Sequence, residues 1–268
     1  MRLMTNPFDV PSEALPGGGH LPVVGLGTWK LRGDQARAAV KAALGAGYRH
    51  IDTATMYGNE RDIGQAIAED GVGRDDIFIV TKLRPSDIGQ AENVLRRSLR
   101  ALRTDRVDLW LLHWPPSRAA ASRQGWNELR RMRDAGLARA IGVSNYSLAQ
   151  IDRLNEATGQ APAVNQISWS PGRYDAALLA GHRERGVAVE GYSPLKRTNL
   201  ASPVLTEIAA AHGATPAQVV LRWNLEHGVT VLVKSAHPER IVANIEALRL
   251  TLDPDEVARI DALSARRD

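Results

Sequence analysis

Short apolar runs alternate along the chain with longer segments in which apolar residues recur every three or four positions. The short runs are rich in Val, Ile and Leu, which is typical of strands buried on both faces of a parallel sheet. The longer segments have the periodicity of helices with one apolar face, as in 89–103, where Val94, Leu95, Leu99 and Leu102 share a face. The pattern predicts strands at 23–28, 48–52, 77–82, 107–112, 138–143, 163–167, 187–192 and 229–234.

Glycines and prolines mark where the intervening helices begin and end. Gly47 predicts the end of the first helix, and Pro238 and Pro254 each predict the first turn of a closing helix after the last strand. Residues 1–22 are predicted to be irregular, with a turn at 16–19 that joins two short strands. Before the two closing helices, helices are predicted at 34–46, 59–69, 89–103, 125–135, 147–158, 175–185, 203–212 and 216–227.

This alternation has no long linker and no break in composition, so we expect one α/β domain over 1–268. The predicted fold is a (β/α)8 TIM barrel with an N-terminal β-hairpin and additional C-terminal helices. An open, doubly wound parallel sheet is the competing fold. Its dinucleotide-binding form carries G-x-G-x-x-G after the first strand, whereas residues 25–29 read Gly-Leu-Gly-Thr-Trp and lack the third glycine.

Composition narrows the class of protein. The chain has 268 residues, 44% of them hydrophobic, and no cysteine, so it can bury a large core but cannot form disulfides or a Cys-ligated zinc site. No apolar run approaches ~18 residues and no signal peptide is evident, so we expect a cytoplasmic protein without a membrane partner. The net charge of +4 is spread among acidic residues, which argues against nucleic-acid binding. We expect a monomer that acts on a small molecule.

Polar side chains follow three consecutive predicted strands. Asp52 ends the second strand and Tyr57 lies five residues later; Lys82 ends the third strand and His113 follows the fourth. Active sites of parallel barrels lie at this end of the strands. Taken singly, these residues have ordinary interpretations as a strand end, a loop aromatic, a surface charge and a half-buried imidazole. Their shared position favours a single active site.

The residue types suggest acid chemistry on a carbonyl group. Tyr57 can act as a general acid only if its pKa, ~10 in isolation, is lowered or its proton is otherwise delivered, and a nearby Lys82 ammonium would do this. Asp52 would supply the counter-charge that a partly buried Lys82 needs. His113 would share the tyrosine proton or donate to a substrate oxygen.

Six segments of the chain form a set of signature motifs. They are Gly-Leu-Gly-Thr-Trp at 25–29, Asp-Thr-Ala-Thr-Met-Tyr-Gly-Asn-Glu at 52–60, Val-Thr-Lys at 80–82, Leu-Leu-His-Trp-Pro at 111–115, Gly-Val-Ser-Asn at 142–145 and Tyr-Ser-Pro-Leu at 192–195. In these segments the chain resembles the aldo-keto reductases, and is similar to the bacterial diketogluconate reductase-like members. The resemblance implies a barrel that binds NADPH without a Rossmann fold, uses no metal, and reduces aldehydes and ketones. It makes Tyr57 the proton donor, with Asp52, Lys82 and His113 completing a tetrad.

The same resemblance implies a set of cofactor contacts. Ser144, Asn145 and Gln166 should hold the nicotinamide carboxamide, and Tyr192 should stack on the ring. Ser144-Asn145 is also compatible with a cap of the helix at 147–158. Ala243 stands where many relatives have Glu or Gln, so one cofactor contact is expected to be missing. The further cofactor residues are Thr28, Asp52, Ser193 and Leu195, and, for the adenosine 2′-phosphate and adenine, Lys234, Ser235, Arg240 and Asn244.

The substrate pocket is where the chain departs most from its relatives. Arg84 stands where bacterial relatives often have Trp; it either favours anionic substrates or, as we favour, is a loop surface charge. Trp169 lies in a Ser-Trp-Ser-Pro segment that replaces a usual Glu-aliphatic-His-Pro. The residues expected to contact substrate are Trp29, Met56, Tyr57, His113 and Trp114.

Two other classes of function stay open from the sequence. The first is a non-catalytic or weakly catalytic NADP(H)-binding sensor of the same fold. The second is a barrel hydrolase or isomerase that uses Asp52 or His113 as a base. Turnover of a test aldehyde would separate the reductase from the sensor, and a lack of NADPH binding would favour the hydrolase or isomerase.

Overall fold

The computed structural model of the chain describes residues 10–16 and 18–265. A hairpin precedes the barrel and consists of β1, Ser12–Ala14, and β2, His20–Pro22. The barrel strands are β3 Val24–Gly27, β4 His50–Asp52, β5 Phe78–Leu83, β6 Val107–Leu112, β7 Ala138–Ser144, β8 Val164–Ser168, β9 Ala188–Tyr192 and β10 Val229–Val233. All are parallel and in chain order, and β10 pairs with β3 to close the ring. The TIM barrel prediction is confirmed and the open sheet is excluded.

The helices surround this ring. The bounds of the helices are α1 Gly33–Ala46, α2 Glu60–Asp70, α3 Ala91–Leu102, α4 Ala119–Asp134, α5 Leu148–Thr158, α6 Ala176–Glu184, α7 Pro203–Ala211, α8 Pro216–Glu226, α9 Pro238–Ile245 and α10 Pro254–Asp261. Within the described residues, no helix is both long and apolar enough to cross a membrane.

Local signals explain most of the helix ends. Gly47 ends α1 in a left-handed conformation, with φ of 103°, that glycine adopts at little cost. Pro238 and Pro254 stand at the first positions of α9 and α10, as predicted. The start of α4 was predicted wrongly: the helix begins at Ala119 rather than at 125. Its first turns carry alanines and polar residues, which favour a helix without giving it an apolar period.

The hairpin closes the amino-terminal end of the barrel. β1 and β2 are antiparallel, with Ser12 opposite Pro22, so the two predicted short strands are confirmed. The predicted turn at 16–19 includes position 17, which lies outside the described residues. Leu15 and Leu21 pack with Phe78 and with other side chains from the starts and middles of the strands. The opposite end, at the carboxyl ends of the strands, therefore carries the cavity described below.

A second apolar cluster supports the carboxyl-terminal helices. Trp169 is buried and stacks on Trp223 of α8, with ring centroids 6.4 Å apart and planes 9° from parallel. The Trp223 indole N–H donates to Asp261 of α10 at 2.7 Å, and the His227 ring contacts the same carboxylate at 2.8 Å. Trp169, which lies in a segment that differs from the usual family sequence, therefore packs with these helices.

Gly64 provides a test of the helix packing. A Cβ on Gly64 of α2 would lie 2.5 Å from the Ala101 carbonyl oxygen of α3, so the helices touch backbone to backbone there. Gly64→Ala is expected to lower the free energy of unfolding by about 1–3 kcal/mol in urea titrations. Gly45→Ala, in α1 with nothing within 4 Å of its Cβ, should be neutral or stabilising by about 0.5–1 kcal/mol. Equal effects of the two changes would contradict this account.

Candidate active site

A cavity of about 530 Å³ opens at the carboxyl ends of the barrel strands. Each strand exit contributes residues because the strands are parallel and end at the same rim. The lining brings together side chains that are far apart in the chain. They are Gly27, Trp29, Lys30, Asp52, Met56, Tyr57, His113, Trp114, Ser144, Asn145, Gln166, Tyr192, Ser193, Pro194, Leu195, Lys196, Leu232, Val233 and Lys234.

A buried ion pair lies at the base of this cavity. Lys82 Nζ of β5 is 2.5 Å from Asp52 Oδ2 at the end of β4, and it also donates to the Thr53 carbonyl oxygen at 2.7 Å. Lys82 is fully buried and Asp52 nearly so. Strands β4 and β5 are direct neighbours, with Asp52 opposite Val80, which brings the two side chains together. The pairing predicted from the strand ends is present.

Tyr57 and His113 lie beside this ion pair. Tyr57 ends a 3₁₀ turn, Thr55–Tyr57, that follows β4, and Lys82 Nζ is 5.3 Å from its ring centroid. The His113 ring meets the Tyr57 ring edge to face, with centroids 5.8 Å apart. All four residues of the predicted tetrad are therefore adjacent in space.

Burial dominates the acidity of Tyr57. It raises the pKa of the phenol above its ordinary value, while the Lys82 ammonium opposes the rise and the Asp52 carboxylate adds to it. The predicted influence of Lys82 is present, but the predicted net lowering of the pKa is wrong because burial outweighs it. The phenol therefore keeps its proton at neutral pH, which is the state that a proton donor requires.

The neighbouring groups are also fixed in one protonation state. Burial alone would lower the pKa of Lys82, but the Asp52 carboxylate, which also accepts a hydrogen bond from it, acts with Tyr57 and Glu190 to outweigh burial and raise that pKa above its ordinary value. Burial, and then the Lys82 ammonium, lower the pKa of His113 to about 3. At neutral pH, Lys82 is an ammonium and His113 a neutral imidazole.

Hydroxyl and amide groups line the opposite wall. Asn145, the residue after β7, has φ of 63°, and its Nδ2 donates to Ser144 Oγ at 2.9 Å. Its Oδ1 accepts from the Tyr192 hydroxyl at 2.8 Å, which fixes the Tyr192 ring beside the cavity. Gln166 Nε2 donates to Asp52 Oδ2 at 2.9 Å. Ser144 Oγ donates to the Gln166 carbonyl oxygen at 2.9 Å, so Ser144, Asn145 and Gln166, the residues predicted to hold a carboxamide, form one network with the ion pair.

The other predicted cofactor residues divide between the cavity and its surroundings. Ser193, Leu195 and Lys234 line the cavity. The described residues that lie outside its lining are Thr28, whose buried hydroxyl donates to the Asp52 carbonyl oxygen at 2.8 Å; Ser235, whose hydroxyl accepts from His237 N at 3.0 Å; and Arg240 and Asn244, both on α9.

Three large side chains form the rim. Trp29, Met56 and Trp114 are exposed to 55%, 49% and 48% although all are apolar or aromatic, and all three line the cavity. Arg84 instead makes a two-pronged ion pair with Asp87, at 2.8 and 3.1 Å, on the surface. The interpretation of Arg84 as a loop surface charge is confirmed.

Two buried polar residues beneath the cavity were not predicted from the sequence. Glu190 of β9 accepts from Gln166 Nε2 at 2.6 Å, and its other oxygen lies 3.1 Å from His50 Nε2 at the start of β4. All three side chains are almost fully buried. A carboxylate inside the otherwise apolar run 187–192 was the signal that could have revealed Glu190.

The sequence over residues 23–265 matches the model of the Aldo/keto reductase family. The chain belongs to this family. This aldo/keto reductase is 40% identical over 263 residues to "2,5-diketo-D-gluconic acid reductase B" of Corynebacterium sp. (strain SHS752001), covering 97% of this chain and 95% of the relative. The sequence-based resemblance is confirmed.

Solved structures of other aldo/keto reductases have the same fold. The aldo/keto reductase of Brucella melitensis superposes with a TM-score of 0.92 at 39% identity, covering 95% of this chain and 99% of that one. The Bombyx mori aldo-keto reductase in complex with NADP has a TM-score of 0.89 at 33% identity, covering 97% and 95%. This aldo/keto reductase is an oxidoreductase that acts on carbonyl groups.

Proposed function

We propose that the chain is an NADPH-dependent reductase of aldehydes and ketones in which Tyr57 donates the proton. The observation that carries this proposal is the convergence of Tyr57, His113 and the buried Lys82–Asp52 pair on one cavity. The relative crystallised with NADP supports the choice of cofactor class. When bound, the nicotinamide supplies a hydride to the carbonyl carbon.

The hydroxyl and amide groups of Ser144, Asn145 and Gln166 fit a nicotinamide carboxamide. A carboxamide presents both N–H donors and an oxygen acceptor, and the pair Ser144 and Asn145 together with Gln166 offers both kinds of partner. Among the described residues, Gln166 Oε1 has no hydrogen-bond partner, while its Nε2 is already bonded. Tyr192, held through its hydroxyl, would present its ring face to the nicotinamide ring. These residues would fix which face of the ring meets the substrate.

Tyr57 and His113 would act on the substrate oxygen. A neutral His113 donates a hydrogen bond to the carbonyl oxygen and orients it, but it has no extra proton to transfer. As hydride reaches the carbon, negative charge develops on the oxygen, and Tyr57 transfers its proton there. Alcohols are weaker acids than phenols, so this transfer is favourable even with the raised pKa of Tyr57.

Lys82 and Asp52 would prepare the proton donor. The Lys82 ammonium stabilises the tyrosinate left after proton transfer, and Asp52 compensates the buried Lys82 charge. Lys234, which lines the cavity, would contact the adenosine 2′-phosphate. Ser235, Arg240 and Asn244 would contact the 2′-phosphate and adenine.

The substrate would be a small carbonyl compound. The rim of Trp29, Met56 and Trp114 would enclose its non-reacting part. Diketogluconate is the substrate in the name of the Corynebacterium relative, and it belongs in the test set for this chain. We further propose a cytoplasmic monomer that binds neither nucleic acid nor membrane.

The test is NADPH consumption with a panel of aldehydes, ketones and keto acids. We expect oxidation of NADPH that depends on the carbonyl substrate. Tight binding of NADPH without turnover of any of them would favour the alternative, a sensor of the same fold. Failure to bind NADPH, measured by fluorescence titration, would overturn the proposal.

Arg240 provides a test of cofactor choice. A charge-assisted bond between arginine and a phosphate contributes about 1.5–3 kcal/mol, or roughly ten- to a hundredfold in affinity. Arg240→Ala is therefore expected to weaken NADPH binding by that factor and to leave NADH binding unchanged in fluorescence titrations. Arg259→Ala, on α10 and paired with Glu207 at 2.5 Å, is the matched control. An equal loss for both cofactors would assign Arg240 to the fold instead.

A further inference from the structure

Glu190 is a carboxylic acid buried inside the barrel, below the proposed nicotinamide site. It lies in β9, and its side chain is fully buried. Oε2 accepts from Gln166 Nε2 at 2.6 Å, and Oε1 lies 3.1 Å from His50 Nε2. Gln166 makes the hydrogen bond at Oε2, whereas Oε1 and His50 Nε2 lie in contact without the geometry of a hydrogen bond.

The surroundings of His50 determine where its proton lies. His50 Nδ1 is 3.1 Å from the Pro22 carbonyl oxygen, which can only accept, so Nδ1 carries a hydrogen. The ring fits because Gly25 has no side chain: a Cβ there would lie 2.7 Å from Nδ1. His50 Nε2 lies 3.1 Å from Oε1, so the ring limits the movement of the carboxyl group, and Oε2 is left to accept from Gln166.

The anchored carboxyl group restricts the amide of Gln166. Gln166 Nε2 donates to two acidic side chains at once, to Asp52 Oδ2 at 2.9 Å and to Glu190 Oε2 at 2.6 Å. Both of its N–H groups are therefore used. A reversed amide would direct its oxygen at two acceptor oxygens. Gln166 consequently presents Oε1, an acceptor, to the cavity that it lines.

We propose that Glu190, which is in contact with His50, is a positioning residue for the cofactor and acts through Gln166. It fixes the Gln166 amide so that the cavity offers an acceptor, which takes the carboxamide N–H of the nicotinamide. Asp52 occupies only one of the two N–H groups, and Glu190 occupies the other. This inference rests on the proposed function and assigns a role to two residues outside the proposed tetrad.

The test compares NADPH with its 3-acetylpyridine analogue, in which a methyl ketone replaces the carboxamide and the N–H is absent. The parent protein is expected to bind NADPH about tenfold more tightly, the effect of one neutral hydrogen bond. In Glu190→Met, which removes the acceptor, that preference should fall to within about twofold. Glu190→Gln should restore it, because its oxygen can accept from Gln166 while its N–H donates to His50 Nε2.

A matched control separates positioning from stability. Glu128→Met removes another buried carboxylate, one that accepts from Gly89 N at 3.0 Å outside the cavity. It should destabilise the protein in thermal melts and keep the tenfold preference. A Glu190→Met protein that keeps the preference overturns the inference. A parent that binds neither nucleotide overturns the proposed function, which is a separate outcome seen before any variant is compared.

Side-chain amide NMR of the parent protein tests the orientation without a change at Glu190. The Gln166 signals are assigned by their loss in Gln166→Leu. Both Gln166 N–H protons are expected to exchange with deuterated water at least about tenfold more slowly than those of exposed glutamines, because both are bonded to buried acids. Fast exchange of either proton would overturn the inference even if Glu190→Met did not fold.

Discussion

Replacement of Tyr57 by Phe is expected to cut turnover by at least ~10²-fold, the scale of losing general acid catalysis. The change removes only the hydroxyl and keeps the ring, which packs edge to face on His113. His113 cannot replace the lost acid, because its pKa is lowered to about 3 by burial and by Lys82, so it carries no transferable proton at neutral pH. NADPH affinity should change little, since the phenol acts on the substrate.

Single-turnover oxidation of NADPH measures the chemical step, and fluorescence titration measures the affinity. Tyr146→Phe is the matched control, because its hydroxyl contacts Ser122 of α4 at 2.8 Å, in the outer helical layer. It should retain turnover close to that of the parent. A Tyr57→Phe protein with parental turnover would remove Tyr57 from the role of proton donor.

The barrel could be predicted from sequence because its signal is repeated. Each strand is a short apolar run and each helix has an apolar face, so eight repeats reinforce one another. The first turns of α4, from Ala119, were missed for a physical reason. They are largely exposed and carry alanine and polar residues, so helix propensity rather than burial determines their structure.

The site could be predicted only in part, because the sequence of a barrel strand does not show which residues face the barrel interior and which face the helices. Strands buried on both faces have no polar alternation, so the sequence does not show that Glu190 and His50 face the interior. The polar residues at the strand ends could be predicted because each of them interrupts an apolar run, as Asp52 and Lys82 do. The degree of burial of Tyr57 could not be predicted from the sequence. Burial raises the pKa of Tyr57, and this effect outweighs the opposing effect of Lys82.

Lys82→Met is expected to impair both folding and catalysis. Removing one partner of a buried ion pair leaves the other uncompensated, so the free energy of unfolding should fall by about 3–5 kcal/mol. Turnover should fall by at least ~10²-fold, because the ammonium no longer stabilises the tyrosinate. Lys82→Arg should not restore it: the planar guanidinium differs in shape from an ammonium held at 2.5 Å by Asp52 and 2.7 Å by the Thr53 carbonyl.

The stability loss in Lys82→Met should depend on pH with a definite sign. Burial already raises the pKa of Asp52, and without the opposing Lys82 charge that pKa rises further. A folded-state pKa above the unfolded value gives stability that is kept at low pH and lost as pH rises through it. His113 acts in the same direction, because loss of Lys82 removes one of the two causes that lower its pKa. The variant should therefore be less destabilised at about pH 5 than at about pH 8.

Urea titrations of parent and variant at both pH values measure this difference. Lys41→Met is the matched control, since its ammonium pairs with Glu69 at 2.6 Å on the surface and is half exposed. Such pairs contribute about 0–1 kcal/mol, so the control should change little at either pH. If Lys82→Met were no less stable than Lys41→Met, the Lys82–Asp52 pair would not be compensating a buried charge. If it were destabilised more at the lower pH, Asp52 would not be the group left without its partner.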